Sequence, residues 1–290
     1  MPKSIHEGYN DFLLNLVPTE SQRKASAQHR ASVEASLRKS LNVNLVRETG
    51  SFTHGTGVRN HTDVDILVSL STSNQPSSSD TALAWVKSAL TASFPTTPVR
   101  ISRPAVVIDF AGGSQRWEVI PAFMTLRGGK DQFVYEIPGA NTGWIDTAPA
   151  EHIKYVTDVN TAEGVAGGAK KLARLAKAWK YYNDVPISSF YLEMQAARWM
   201  TTQKSFLPAF DVAGLFEHLA RTDLAAMNDP KNVSGRFHPC SSAATKTVAV
   251  SKINTAATRA RKAVDAHLAE DPNLAFAYLN LLFGGKFPSR

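Results

Sequence analysis

The sequence predicts an α+β chain: a mixed β-sheet with flanking helices, packed on an α-helical lobe, with a ligand cleft between the two halves. Three observations predict it. Runs rich in Val, Ile and Phe, of strand length, gather before Pro149. Helical periodicity replaces them after Pro149. Between the first two of those strands, a Gly50-Ser51 pair stands a short loop ahead of Asp63-Val64-Asp65. Strands followed by helices imply a sheet core over residues 1–148 and a helical lobe over residues 149–290.

Each element has its own signal. Ile5, Tyr9, Phe12, Leu13 and Leu16 follow helical spacing, and Pro18 ends that helix. Residues 19–41 read as a longer helix with a thin apolar stripe of Val33, Leu37 and Leu41, lying along the outside with a solvated basic face. Residues 43–48 and 63–70 read as strands, 71–80 as a Ser-rich loop and 81–93 as a helix. Residues 99–101, 105–110 and 117–123 read as strands, the last two joined as a hairpin through Gly112-Gly113; residues 133–137 add another. Helices are expected over 149–162, 168–182, 188–201, 209–222, 248–269 and 273–283. The Asn-, Ser-, Gly- and Pro-rich residues 227–247 read as a long loop.

Composition narrows the function classes. The 290 residues are 43% apolar and 20% charged, a soluble globular balance. No run approaches the roughly 18 apolar residues of a transmembrane helix. Met1 to Glu7 lacks the apolar stretch of a secretory signal. Cys240 is the single cysteine, which excludes an internal disulfide and fits a reducing cytoplasm. His238 and Cys240 are too few for a structural zinc site. The net charge of +7 favours polyanionic ligands without choosing among nucleotides, RNA and DNA.

The chemistry sits in the first motif. Alternate strand residues share a face, so Asp63 and Asp65 project together while Val64 and Ile66 turn the other way. Two carboxylates there suit paired divalent cations, which clamp the attacking and leaving oxygens of an in-line displacement. The Gly50-Ser51 turn offers backbone N–H groups and a hydroxyl to phosphate oxygens. His54 follows as an exposed loop histidine. A third acid from a neighbouring strand has two candidates, Asp109 and Glu118, and strand register decides between them. In helix 168–182, Leu172, Leu175, Trp179 and Tyr182 form an apolar stripe opposite Lys170, Arg174 and Lys177, with Lys171 and Lys180 nearby. One or two of these cations meet a triphosphate. Ser188 and Ser189 are placed to cap the next helix and bind a phosphate. Of Phe190 and Tyr191, one stacks on a base and the other packs in the core.

These residues resemble a family, the cyclic-oligonucleotide synthases of bacterial anti-phage signalling. Their relatives are cyclic GMP-AMP synthase and oligoadenylate synthase, within the polymerase-β-like nucleotidyltransferases. Gly50-Ser51 through Asp63-Val64-Asp65 matches the family's G-S and D-x-D elements. Pro104-Ala105-Val106-Val107 and Trp117-Glu118-Val119-Ile120-Pro121-Ala122 resemble the strand pair that ends in the third acid, which implies that Glu118 takes that place. The usual residue there is Asp, so the longer Glu is a departure that leaves Asp109 open. Trp144 to Pro149 resembles the entry to the helical lobe, and Leu282 to Pro288 the end of such chains. Lys177 and Ser189 match the residues that hold the triphosphate, and Phe190 the base-stacking aromatic. The resemblance implies Mg²⁺ or Mn²⁺ as cofactor and ATP with a second NTP as substrates. It implies a cyclic or short linear second messenger that reaches a downstream effector, and regulation by a protein or a phage-derived activator. No membrane or nucleic-acid partner is expected. Two competing readings remain: the same core transferring a nucleotide to an RNA, protein or small molecule, and a nucleotide-binding protein without catalysis. The intact D-x-D argues against the second, because paired carboxylates in a basic cleft are costly without a metal.

Overall fold

The computed structural model describes residues 3–61, 63–113, 115–139, 141 and 143–290. The first half runs α1 (Ile5–Leu16), α2 (Glu20–Ser40), β1 (Val43–Thr49), a five-residue helix α3 (Gly50–His54), β2 (Val64–Leu70), α4 (Ser79–Ser93), β3 (Val99–Ser102), β4 (Ala105–Phe110), β5 (Gln115–Met124), β6 (Tyr135–Pro138) and β7 (Trp144–Thr147). The second half is α5 (Pro149–Thr161), α6 (Gly168–Tyr182), α7 (Ser189–Met200), α8 (Pro208–Arg221), a small hairpin β8 (Met227–Asn228) and β9 (Arg236–Phe237), α9 (Ala243–Leu268) and α10 (Pro272–Leu282). The expected α+β architecture is what the chain adopts.

The sheet order is β1-β2-β5-β4-β3, with β6 pairing the far end of β5 and β7 pairing β6. β2 and β5 are parallel; the other pairings are antiparallel. Alternation along the strands builds two surfaces. Val64, Ile66 and Val68 join Trp117 and Val119 beneath α2 and α4, where Val33, Leu37, Leu83, Val86 and Leu90 close the first core. Asp65 and Glu118 therefore face the opposite side. The second core belongs to the helical lobe and includes α1. Tyr9, Phe12 and Leu16 are buried with Leu172, Trp179, Leu215 and Phe216. Phe12 also packs its ring 4.7 Å from Phe283 and 5.1 Å from Phe287.

Three differences from the sequence reading have local causes. Residues 227–247 are not a continuous loop. Asp229 accepts the N–H groups of Lys231, Val233 and Ser234 and closes the β8–β9 turn. Ser242 then starts α9 early, through a reciprocal cap with Thr245. Strand β7 went unpredicted because four residues carry too little alternation to read.

Candidate active site

The site is assembled around Asp65. β1 and β2 pair Thr49 with Asp65, and β2 and β5 pair Asp65 with Glu118, so the two carboxylates leave adjacent strands side by side on one face. Asp63 precedes the first residue of β2. At the end of β1 the chain turns at Gly50, whose φ is +67°. The following Ser51 N–H donates to the Asp65 carboxylate. A Cβ on Gly50 would stand 1.7 Å from Asp65 Oδ2. Glycine is required there twice, by backbone conformation and by the space the carboxylate fills. Gly50→Ala should therefore displace Asp65 and abolish turnover, with the far-ultraviolet circular dichroism spectrum unchanged. Normal turnover in that variant would refute the packing argument.

Gly50, Ser51, Asp63, Asp65 and Glu118 line a cavity of about 530 Å³. Helices α6 and α7 close its other side with Lys177, Lys180, Tyr181, Ser189 and Phe190. Gly50, Ser51, Asp63, Asp65, Glu118, Lys177, Ser189 and Phe190, the eight positions matched through the resemblance, all border this one cavity. Asp109 does not line it. Asp109 pairs in register with Arg116 and accepts from Arg100 at 3.4 Å and Arg116 at 3.2 Å. Among the described residues no three acid, histidine or cysteine side chains are drawn tightly around a single point. Asp63, Asp65 and Glu118 stand apart around the cavity instead.

Burial and mutual repulsion act on these acids. Desolvation raises the Asp65 carboxyl well above the usual carboxylate range, and the charges of Glu118 and Asp63 push it further. Desolvation also raises Asp63 and Glu118, with Arg116 and Lys180 pulling both back. The fold thus holds negative charge where it is penalised, an arrangement typical of sites that bind cations.

The basic helix divides its cations. Lys177 is 2% exposed and donates to Glu193 Oε2 at 2.6 Å and Thr56 Oγ1 at 2.8 Å. The Glu193 carboxylate also takes His54 Nδ1 and the Thr56 hydroxyl. His54 is therefore buried and tied to α7, contrary to the exposed loop position read from the sequence; its partner lies far along the chain. Arg174 donates to the Gly57 carbonyl at 3.0 Å, so the segment after α3 is held by α6 as well. Lys180 donates to Ser189 Oγ at 2.6 Å. Burial, with the neighbouring Lys177 charge, lowers its amine to about 8. Ser188 caps α7 by accepting from the Tyr191 N–H at 3.2 Å. Phe190 is partly exposed, its ring 4.8 Å from Phe237 and 5.3 Å from His152. Tyr191 is buried and donates its hydroxyl to the Ala225 carbonyl at 2.7 Å.

Sequence reasoning gave Glu193 no role and left Lys180 at the margin of the basic stripe. Two signals were present. Lys180 lies one helical turn beyond Lys177, and Glu193 lies four residues after Ser189 on the same face of α7.

Residues 4–160 match the family model of the Second Messenger Oligonucleotide or Dinucleotide Synthetase domain. No curated protein matches by sequence. Solved structures share the fold along nearly the whole chain. E. coli MS115-1 CdnC with ATP is 16% identical, with 98% of this chain and 99% of that one covered and a TM-score of 0.77. The same protein in complex with HORMA-deltaN is 16% identical, with 98% of each chain covered and a TM-score of 0.75. Vibrio cholerae DncV cyclic AMP-GMP synthase, bound to the linear intermediate pppA(3′,5′)pG, is 14% identical, with 100% of this chain and 97% of that one covered and a TM-score of 0.72. The matched domain spans more than half of the sequence and carries the turn with Asp63, Asp65 and Glu118: the chain belongs to the second messenger oligonucleotide or dinucleotide synthetase family and is a nucleotidyltransferase of the cyclic-oligonucleotide-synthase class.

Proposed function

We propose that the cavity joins nucleoside triphosphates, ATP among them, into a cyclic or short linear oligonucleotide with release of pyrophosphate. The observation that carries this is the pairing of Asp65 with Glu118 on adjacent parallel strands, facing a cavity that also receives the Ser51 turn and helices α6 and α7. The sheet core, residues 1–148, supplies the acids; the helical lobe, residues 149–290, completes the nucleotide pocket. The family uses divalent cations. The donor set suits them in kind: three carboxylates of hard oxygen line one cavity, each penalised by burial for carrying its charge without a counter-ion. Asp63, Asp65 and Glu118 would hold Mg²⁺ or Mn²⁺. A bound cation of this kind supplies Lewis acidity and charge neutralisation at phosphate oxygens.

The chain's own groups do the positioning. Ser51 and Ser189 donate hydroxyl protons to the donor's phosphate oxygens. Phe190 offers its partly exposed ring to a base, held by Phe237 and His152. Lys177 supports the pocket from behind, through Glu193, at the turn where the resemblance places the triphosphate. A carboxylate of the triad accepts the proton of the acceptor ribose hydroxyl as that oxygen attacks the donor α-phosphate in line, and pyrophosphate leaves. Rate comes from placement and fixed charge, as in other phosphoryl transfers.

The partners follow from the product. A cyclic messenger acts on an effector elsewhere, in keeping with a role in anti-phage defence. A regulatory protein is a natural counterpart, as E. coli CdnC has in its HORMA complex. No helix among the described residues is long and apolar enough to cross a membrane. We place the reaction in the cytoplasm on the strength of the family alone.

Mass spectrometry of products from four NTPs with Mg²⁺ or Mn²⁺ tests the reading. A phosphatase-resistant cyclic product, with release of pyrophosphate, is the expected result. Label appearing only on an added RNA, protein or small-molecule acceptor would assign the chain to acceptor nucleotidylation instead.

A further inference from the structure

The first turn of α7 is gripped from outside its own helix. Ser188, its cap, donates its backbone N–H to the Pro239 carbonyl at 2.7 Å. Tyr191 donates its hydroxyl to the Ala225 carbonyl at 2.7 Å. Between those contacts, the Phe190 ring lies 4.8 Å from Phe237. All three partners belong to residues 225–239, the segment that carries β8 and β9.

A fourth contact runs through α5. His152 is 1% exposed, lines the cavity and sets its ring 5.3 Å from Phe190. Its Nε2 stands 3.2 Å from Asp229 Oδ2 and 3.3 Å from the Ser234 hydroxyl. Asp229 is buried, and it accepts from the N–H groups of Lys231, Val233 and Ser234 and from the Ser234 hydroxyl. Burial opposes its ionisation, but the hydrogen bonds from His152 and the turn outweigh it and hold the carboxyl far below its ordinary range.

One turn therefore governs both rings that touch Phe190 among the described residues. Phe237 is set by its register opposite Met227, and His152 by Asp229. This matters because Phe190 is 36% exposed. A side chain that swings freely must be ordered when a ligand stacks on it, and holding it beforehand removes that cost.

We propose that the β8–β9 segment is a base clamp: Phe237, and Asp229 acting through His152, are positioning residues that hold the Phe190 ring in the orientation that receives a nucleobase. The assignment rests on the stacking role given to Phe190 in the proposed function. It places control of base affinity in a segment that holds none of the three acids, so base binding can change while the cation site stays intact.

Calorimetric titration with α,β-methylene ATP and Mg²⁺, taken round a double-mutant cycle, tests it. Phe190→Ala should weaken the analogue by about tenfold, the scale of one lost base–aromatic stack. Asp229→Asn turns one accepting oxygen into a donor among donors. It should weaken the analogue by about threefold or more, the scale of freeing one side chain. Asp229→Asn/Phe190→Ala should bind no more weakly than Phe190→Ala. Mg²⁺ should still raise the melting temperature of Asp229→Asn. Should that variant fail to fold, Phe237→Leu keeps the apolar volume, removes the ring and should show the same lack of additivity with Phe190→Ala. The proposal is overturned if Asp229→Asn and Phe237→Leu bind the analogue normally, if their losses multiply with that of Phe190→Ala, or if Mg²⁺ no longer stabilises them. Normal binding by Phe190→Ala would remove the stacking role and the clamp with it. Failure of the unaltered chain to bind the analogue would instead remove the nucleotide pocket as a whole.

Discussion

Replacing Asp63 and Asp65 together with Asn is expected to lower pyrophosphate release by about 10³-fold or more, the scale of losing electrostatic stabilisation of the transition state. The fold should persist, because neither side chain carries the core. Stability should in fact be equal or higher at neutral pH. Both carboxyls titrate above their ordinary range in the folded chain, most of all Asp65. The native state then binds protons more tightly than the unfolded state, so stability falls as pH rises from the ordinary carboxylate range through the raised folded values. The penalty grows with pH until it passes the raised folded values, and the amides remove it. Mg²⁺ or Mn²⁺ should raise the melting temperature of the unaltered chain and leave that of the double variant unmoved. Retained turnover, or a cation-induced rise in the variant, would place the metal site elsewhere.

The second large effect concerns the buried cluster behind the turn. Lys177→Met leaves Glu193 charged and 2% exposed, with His54 and Thr56 as its remaining partners. Breaking a buried pair in this way costs about 3–5 kcal/mol. That is a fall in melting temperature of roughly 10 °C for a chain of this size. Lys177→Met/Glu193→Gln should recover most of the loss, since no unpaired charge remains. The Glu193 carboxyl is itself held far below its ordinary range by Lys177 and His54. Its contribution is therefore complete above the ordinary carboxylate range and is lost only as the pH falls through its depressed folded value. Without Lys177, burial drives the Glu193 carboxyl upward, so chemical denaturation should show the gap between Lys177→Met and the parent narrowing from pH 7 to pH 5 as protonation removes the stranded charge. A gap that stays constant would show that Glu193 is not the group left unpaired.

How much of this was legible in the sequence follows from the reach of each signal. The Gly-Ser pair and Asp63-x-Asp65 are local patterns, and local geometry placed them on a turn and a strand start. The neighbourhood of Glu118 was not local. It depends on β2 and β5 pairing in parallel with Asp65 opposite Glu118, and a two-residue shift in β5 would have presented Arg116 instead. Asp109 lies on the same face, yet Arg100 and Arg116 occupy it, which no spacing rule reveals. His54 was misread because the carboxylate that buries it arrives 139 residues later. The helical lobe read well in outline, since amphipathic spacing survives without tertiary context. Its caps at Ser242 and its Asp229 turn did not, because the surrounding Ser, Thr and Asn residues also make ordinary loops.

The seating of α1 in the second core bears on how the molecule is made. Helix α1 leaves the ribosome long before α10, and Tyr9 and Phe12 stay without their final neighbours until Phe283 and Phe287 have been synthesised. At about 5–20 residues per second, that wait is on the order of tens of seconds. Until then the apolar face of α1 lacks part of the core that covers it. Nascent chains stalled before α10 should therefore be clients of holding chaperones, and released full-length chains should not.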